Sequence, residues 1–395
     1  MESKRKLASI QKIIKLFPIE GADRIECAQV LGWECVVVKD TFKEGDLCVY
    51  FECDSQLPIH PVFEFMANRH YRVKTAKFKK QISQGLALPL EILDNFIDTS
   101  KARVGACANF ALYRSMKFKE GDDVTKLIGV TKYDPRPEDS NPSSSKKLNP
   151  IVNSLMQYAL FRKVYRVIVP GKTKGSFPEF IFKTDETRIQ SSPSILTKNR
   201  NEPFYFTEKL DGSSATYFYN DKLSGKRFGI FNKDLGNGFG VCSRNLRLVH
   251  KDNSNWWKYA LEHNIEETVK ALSYCLGYSV AIQGELIGPS IQENKYKRNT
   301  LEFYCYNIFN IDTQSYISFE GKYHLCEKFG ISTVPVVAEE SITEEVTIPY
   351  LVALSKRKSL IKKDILAEGI VGRNVKNDSI SFKVINPEWL LKYKE

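Results

Sequence analysis

Between Lys132 and Asn149 the chain carries Pro135, Pro137 and Pro142, the run Ser143-Ser144-Ser145 and mixed charges, with almost nothing apolar to bury. Such a stretch cannot sit inside a core, because it offers little hydrophobic surface and repeatedly breaks regular backbone hydrogen bonding. It divides the chain into residues 1–131, a linker over 132–149, and residues 150–395. Length demands a division too, since single cores stop growing at roughly 250–300 residues. The 42% of apolar residues suffices for two cores and excludes wholesale disorder.

Charge narrows the partners. The 58 Lys and Arg against 47 Asp and Glu leave a net +11, which points toward a polyanion because neutralised phosphates release counterions. By itself that excess leaves nucleic acid, an acidic membrane face and plain solubility open. The nine cysteines are odd in number and scattered from Cys27 to Cys326, with no two separated by just two residues, so neither a disulfide framework nor a zinc ribbon is indicated. The basic start Met1 to Lys6 precedes no long apolar run, and no stretch is long enough to span a bilayer. The expectation is a soluble monomer in a reducing intracellular compartment, cytoplasm or nucleus, with no membrane partner.

Before the linker, short apolar runs alternate with turn signals: Ser9 to Lys15, Arg24 to Val30, Trp33 to Val38 and Leu47 to Phe51. Such spacing predicts a small β-barrel of OB-like type. The pentapeptide Phe42-Lys43-Glu44-Gly45-Asp46 recurs at Phe118-Lys119-Glu120-Gly121-Asp122. Two tight turns built on glycine explain it better than duplication does. After the linker, Asn149-Pro150 reads as a helix start, with Ile151, Val152, Leu155, Met156 and Ala159 at helical spacing. Strands are predicted at Phe204 to Phe206, Ser214 to Tyr219, Arg227 to Phe231, Ser279 to Gln283 and Leu301 to Ile311, with helices near Asn255 to Leu276 and Ile348 to Leu360. That mixed order predicts an α+β domain.

Between two of these strand-like runs stands Lys209-Leu210-Asp211-Gly212. A lysine amine is a poor nucleophile at neutral pH: with a reference pKa of about 10.4, only about one in a few thousand is neutral. Desolvation or a neighbouring cation must lower that cost. Asp211, two positions on, is expected on the same strand face, where a carboxylate recruits a metal, and Gly212 allows a turn and close backbone approach. Alone, the tetrapeptide is also compatible with a solvated hairpin turn.

Its company decides. Downstream come Ser243-Arg244-Asn245, Gly284-Glu285-Leu286-Ile287-Gly288, Phe303-Tyr304-Cys305-Tyr306-Asn307-Ile308, Glu368-Gly369-Ile370-Val371-Gly372-Arg373 and Ser381-Phe382-Lys383-Val384-Ile385. The series resembles the covalent nucleotidyltransferase superfamily of polynucleotide ligases and capping enzymes, and most closely the ATP-dependent RNA ligases with an N-terminal OB-fold domain. The resemblance implies a mixed α+β, ATP-grasp-like ligase domain over residues 150–395 and a three-step reaction. Lys209 takes AMP from ATP, the AMP passes to an RNA 5′-phosphate, and a 3′-hydroxyl displaces it.

The resemblance also assigns roles. It makes Lys383 the cation at the α-phosphate, Arg244 a contact to the ribose and nucleic-acid end, and Arg188 an upstream arginine near the phosphates. Tyr306 stacks on adenine and Glu208 faces the base edge. Asp211, Glu285 and Glu368 hold Mg²⁺ or Mn²⁺ through waters, with Glu285 alternatively binding the ribose hydroxyls. Two departures from the pattern stand out: Ser381 replaces the first of two lysines in the last motif, and Asn307 replaces an aspartate.

Only 395 − 383 = 12 residues follow Lys383, so the accessory domain is expected at the N-terminus. There the run His70 to Lys80 interleaves aromatic and basic side chains and is the candidate nucleic-acid patch, with a solvated loop as the plainer reading. The expected partner is RNA with 3′-hydroxyl and 5′-phosphate ends, at nicks. No P-loop and no paired His-x-Thr/Ser signature is present for healing such ends. A GTP-dependent capping enzyme and an inactive RNA-binding module are the alternatives.

Overall fold

The computed structural model describes residues 5–96, 118–133, 175–227, 233–248 and 253–393. Its first strands are β1 (Ala8–Pro18), β2 (Ile25–Val30), β3 (Trp33–Val38), β4 (Leu47–Phe51), β5 (Ser55–Gln56), β6 (Ala76–Phe78), β7 (Gln81–Ser83), β8 (Leu86–Pro89) and β9 (Thr131–Lys132). Five of them form one antiparallel sheet in the order β3-β2-β1-β4-β8. β1 serves two partners: Ala8 to Lys12 pair with β4, and Ile13 to Pro18 pair with β2, with a register shift between Ile13 and Lys15. A strand that changes partner at a bulge bends, and the sheet curls into the half-barrel of an OB fold.

The repeated pentapeptide is one turn used twice against β1. Gly45 (φ 95°) and Gly121 (φ 90°) take the left-handed conformation that favours glycine. Each donates its N–H to β1 at 2.8 Å, Gly45 to the Ile13 carbonyl and Gly121 to the Ile10 carbonyl. Asp46 and Asp122 each accept from the backbone three residues earlier, at 2.7 and 2.8 Å, while Phe42 and Phe118 are buried below.

The remaining strands are β10 (Gly175–Ser176), β11 (Thr187–Arg188), β12 (Pro203–Lys209), β13 (Ser213–Arg227), β14 (Lys233–Ser243), β15 (Leu246–Arg247), β16 (Val280–Ile287), β17 (Glu302–Asn310), β18 (Ser315–Tyr316), β19 (Val336–Ser341), β20 (Gly369–Asn374) and β21 (Ser381–Ile385). They form a seven-stranded sheet, β10-β15-β14-β13-β16-β17-β18, and a five-stranded sheet, β11-β21-β20-β12-β19. Helices Asn255–Glu262, Ile265–Leu276 and Phe319–Lys328 cover the larger sheet through Trp257, Val269, Leu272, Leu325 and Cys326. Helix Ile348–Ser355 covers the smaller one through Leu351. β12 and β13 belong to different sheets and are joined only by Leu210-Asp211-Gly212, so this turn lies at the seam between them.

Several expectations change. The helix predicted over 255–276 is broken: Asn264 sits at φ 50°, a conformation asparagine tolerates, and splits it in two. The helix predicted to Leu360 ends at Ser355. Beyond it the Leu360 N–H donates to Glu208. The helix predicted from Ile151, the Arg227 to Phe231 strand beyond its first residue, and the linker after Tyr133 lie outside the described residues. Among the described residues no helix is long and apolar enough to cross a membrane.

Contacts among the described residues join the N-terminal half to the C-terminal half. Gly32 N–H donates to the Gln190 carbonyl at 2.9 Å, and Trp33 Nε1 donates to Ser191 Oγ at 3.3 Å. Ser191 in turn donates to Glu52 at 2.6 Å.

Candidate active site

Lys209 is the last residue of β12, opposite Gly369 on β20, and β20 pairs in turn with β21, which carries Lys383. β11 runs parallel to β21 with Arg188 opposite Lys383. Strand register therefore gathers Lys209, Glu368, Lys383 and the backbone of Arg188 on one side of the seam. From the other sheet, Glu285 on β16 lies between Ser214 on β13 and Tyr304 on β17.

Gly212 makes the seam close. A Cβ there would stand 2.4 Å from the Leu286 carbonyl oxygen and 2.9 Å from Glu285 Cγ. The backbone approach read from the sequence is therefore the feature that holds the turn against β16.

The amine of Lys209 donates to Glu368 Oε2 at 2.6 Å, with a quarter of its side chain exposed. Burial pulls its pKa down, but Glu368, then Glu285 and Asp211, outweigh burial and hold it above the ordinary lysine value. Desolvation therefore does not free this amine, contrary to one of the two routes expected from sequence. Glu285 shows the cost of the same crowding: burial, with Glu368 and Asp211 nearby, pushes its carboxyl up to about 8 despite the attraction of Lys209.

This surplus of negative charge fits a divalent cation. Among the described residues no three carboxylate, histidine or cysteine side chains close into a direct metal cage. Carboxylate oxygens are the ligand type that Mg²⁺ takes, and that ion usually keeps several of its own waters. Asp211 departs from its expected placement: β12 ends at Lys209, so the carboxylate is carried round the turn rather than along a strand face. There Lys295 donates to its Oδ2 at 2.6 Å, and its own N–H donates to the Tyr296 hydroxyl at 2.9 Å.

Lys383 donates to Asp185 Oδ1 at 3.0 Å, and Arg244 pairs with Asp185 Oδ2, also at 3.0 Å. Burial and the repulsion of Lys209 depress the Lys383 pKa against the pull of Asp185. Lys383, expected at the α-phosphate, and Arg244, expected at the ribose and the nucleic-acid end, thus meet on one carboxylate that the sequence did not single out. Arg188 does not join them. Its guanidinium turns into the seam with the OB-fold half, 3.5 Å from Asp54 and over the Trp33 ring at 5.5 Å, with Nη1 buried and unpartnered among the described residues.

Glu208, on the opposite face of β12 from Lys209, is buried. Its Oε2 accepts from Leu360 N–H at 2.6 Å, and its Oε1 has no hydrogen-bond partner among the described residues. Burial pushes this carboxyl up. Tyr306 is held by its hydroxyl, 2.8 Å from Thr184 Oγ1 and 3.3 Å from Ser214 Oγ, with Arg373 over its ring at 5.6 Å. Arg373 pairs with Glu186 at 2.5 Å. Asp185, Glu186, Lys295 and Arg373 were missed by sequence reasoning. Asp185-Glu186, three and two residues before Arg188, was the available signal in a basic chain.

Comparison with known proteins agrees with this architecture. The model of an OB-fold domain matches residues 7–90, and that of the RNA ligase family matches residues 202–385. No curated protein sequence matches significantly. Among solved structures, a variant of Naegleria gruberi RNA ligase with ATP and Mn is similar, with 29% identity and a TM-score of 0.75 over 98% of this chain and 99% of that one. A variant of the same ligase with AMP and Mn matches with 29% identity and a TM-score of 0.75, over 99% of each chain. The ligase with pyrophosphate matches at 29% and 0.74, again over 99% of each. An OB-fold domain is thus followed by residues 202–385, which belong to the RNA ligase family and bring Lys209, Glu285, Glu368 and Lys383 to one seam.

Proposed function

We propose that the protein is an ATP-dependent RNA ligase that seals 3′-hydroxyl and 5′-phosphate ends at nicks, using Lys209 as nucleophile and a divalent cation. Lys209 Nζ forms a bond to the α-phosphorus of ATP as the bond from that phosphorus to the bridging oxygen breaks, releasing pyrophosphate and a proton. AMP then passes to the RNA 5′-phosphate, and the 3′-hydroxyl displaces it.

The observation that carries this reading is the lysine at the seam, with Glu368 at 2.6 Å and with Lys383, one strand beyond β20, close enough for the two charges to repel. Phosphoryl transfer needs positioned positive charge more than acid or base groups, and Lys383 and Arg244 supply it once ATP competes with Asp185 for them. Asp211, Glu285 and Glu368 would hold a divalent cation, whose charge would offset the carboxylates that otherwise keep Lys209 protonated. The unpartnered Glu208 Oε1 suits an adenine amino group, and the Tyr306 ring suits its face.

The experiment is sealing of nicked duplexes. Equal joining of 3′-deoxy and 3′-ribo nicks would argue for a DNA ligase, and better joining of free single strands than of nicks would refute the nick preference. Labelled GTP in place of ATP tests the capping alternative. We further propose a monomer, checked by light scattering, in a reducing compartment. The described cysteines are all free, and all but Cys275 are buried.

A further inference from the structure

The segment joining β16 to β17 is built against the preferences of its own backbone. Ser290, Gln292, Glu293, Asn294 and Lys297, five of the eight residues 290–297, stand at positive φ between 43° and 63° without being glycine. Such conformations persist only where the surroundings over-determine them, and they gather at functional sites. Here the segment is pinned by the buried side chains of Ile291 and Tyr296, and by Asn294, which bonds both the N–H and the carbonyl of Arg298.

What this arrangement delivers is two consecutive contacts to one residue. Tyr296 takes the Asp211 N–H, and Lys295 takes its carboxylate at 2.6 Å in a pair that is 11% and 5% exposed. In the same position the Lys295 amine lies 3.4 Å from the Gln292 carbonyl and already borders a second seat. It stands 5.5 Å from the Trp389 ring centre and 5.8 Å from that of Tyr393, both on the helix Pro387–Tyr393, where the ring faces attract a cation.

We infer that Lys295 is a positioning residue that neutralises and holds the Asp211 carboxylate until a divalent cation takes its place, the amine then being carried by the Trp389–Tyr393 pair. The inference rests on the ligase reading only in expecting a cation beside Asp211. Lys295 and that cation compete for one carboxylate, so each weakens the other's hold on it. A lysine serving only to brace the fold lacks this property: removing a brace loosens a metal site, whereas removing a competitor tightens it.

The test uses Mn²⁺ alone as probe, with the full chain, free Mn²⁺ being followed by electron paramagnetic resonance. Lys295→Met is expected to bind Mn²⁺ about 10-fold more tightly than wild type, the low end of the roughly 10- to 1000-fold by which an adjacent cation weakens a carboxylate's hold on a competing proton. Mn²⁺ should also raise its melting temperature by more than it raises that of wild type. Lys295→Arg, which keeps the charge, should behave as wild type. Tyr393→Leu, which removes part of the second seat, should weaken Mn²⁺ binding. Equal or weaker binding in folded Lys295→Met overturns the inference; if that variant does not fold, Lys295→Gln replaces it with the same expectation and the same refuting result. Labelling by ATP is scored separately, so a protein that shows the Mn²⁺ shift without forming an adenylate refutes the ligase reading and leaves this one standing.

Discussion

Gly212→Ala tests the seam more sharply than any charge removal, because it changes no functional group. Gly212 is not among the positive-φ residues, so its need for glycine is one of space. The added methyl would lie 2.4 Å from the Leu286 carbonyl oxygen, 2.8 Å from Ile287 Cγ2 and 2.9 Å from Glu285 Cγ. The first neighbour is backbone within the β13–β16 ladder and cannot rotate away. Restoring ordinary contact requires the turn to retreat by about 1 Å, and it carries Lys209 and Asp211 with it; misplacement of that size costs about 100-fold in rate where reacting atoms must be aligned. Overpacking of this kind costs about 1–3 kcal/mol of stability, so the protein should remain folded. The assay is single-turnover formation of the protein-bound adenylate with labelled ATP, beside a thermal melt. A rate within threefold of wild type would refute the claim that close approach at Gly212 positions the lysine.

Other consequences follow from the same geometry. Lys383→Met should slow adenylate formation by about 100-fold or more, the usual effect of removing one group that stabilises developing charge, while Lys383→Arg recovers part of it; single-turnover labelling reads both. Gly32→Ala would set a methyl 2.8 Å from Gln190 Cα and 2.4 Å from Ile348 Cδ1, so it should open the contact between the two halves and speed cleavage in limited proteolysis. The buried Lys322, bonded to the Tyr205 hydroxyl and the Tyr306 carbonyl, has its pKa lowered by burial, then by Arg373, to about 8. Its unfolded value is higher, so between about pH 8 and 10.4 the unfolded chain binds more protons and this group's contribution shifts toward the folded state as pH rises. Denaturant melts should show wild type gaining on Lys322→Met across that window, and a flat difference would contradict the buried charge.

The parts of the structure that were legible are those fixed by local rules. Trp33–Val38 and Leu47–Phe51 are strands with the bounds that their β-branched and aromatic runs suggest, and the FKEGD turns owe their form to glycine and aspartate within five residues. The order of motifs located Lys209, Glu285, Glu368 and Lys383, which register then brings to one seam. What stayed hidden depends on partners far along the chain. The partner of Lys383 and Arg244 is Asp185, the cation on Asp211 comes from a strained loop 84 residues away, and Arg188 is drawn aside by Asp54 and Trp33 of the other half. The break at Asn264 is also local, but asparagine marks the left-handed conformation far less strongly than glycine does.

The central claim is that Lys209 carries AMP. Incubation with α-labelled ATP and Mg²⁺ or Mn²⁺, followed by proteolysis and mass spectrometry, tests it directly. The account predicts one AMP on the peptide containing Lys209, lost in Lys209→Ala and not formed from GTP. AMP on another residue, or equal labelling of Lys209→Ala, would contradict it.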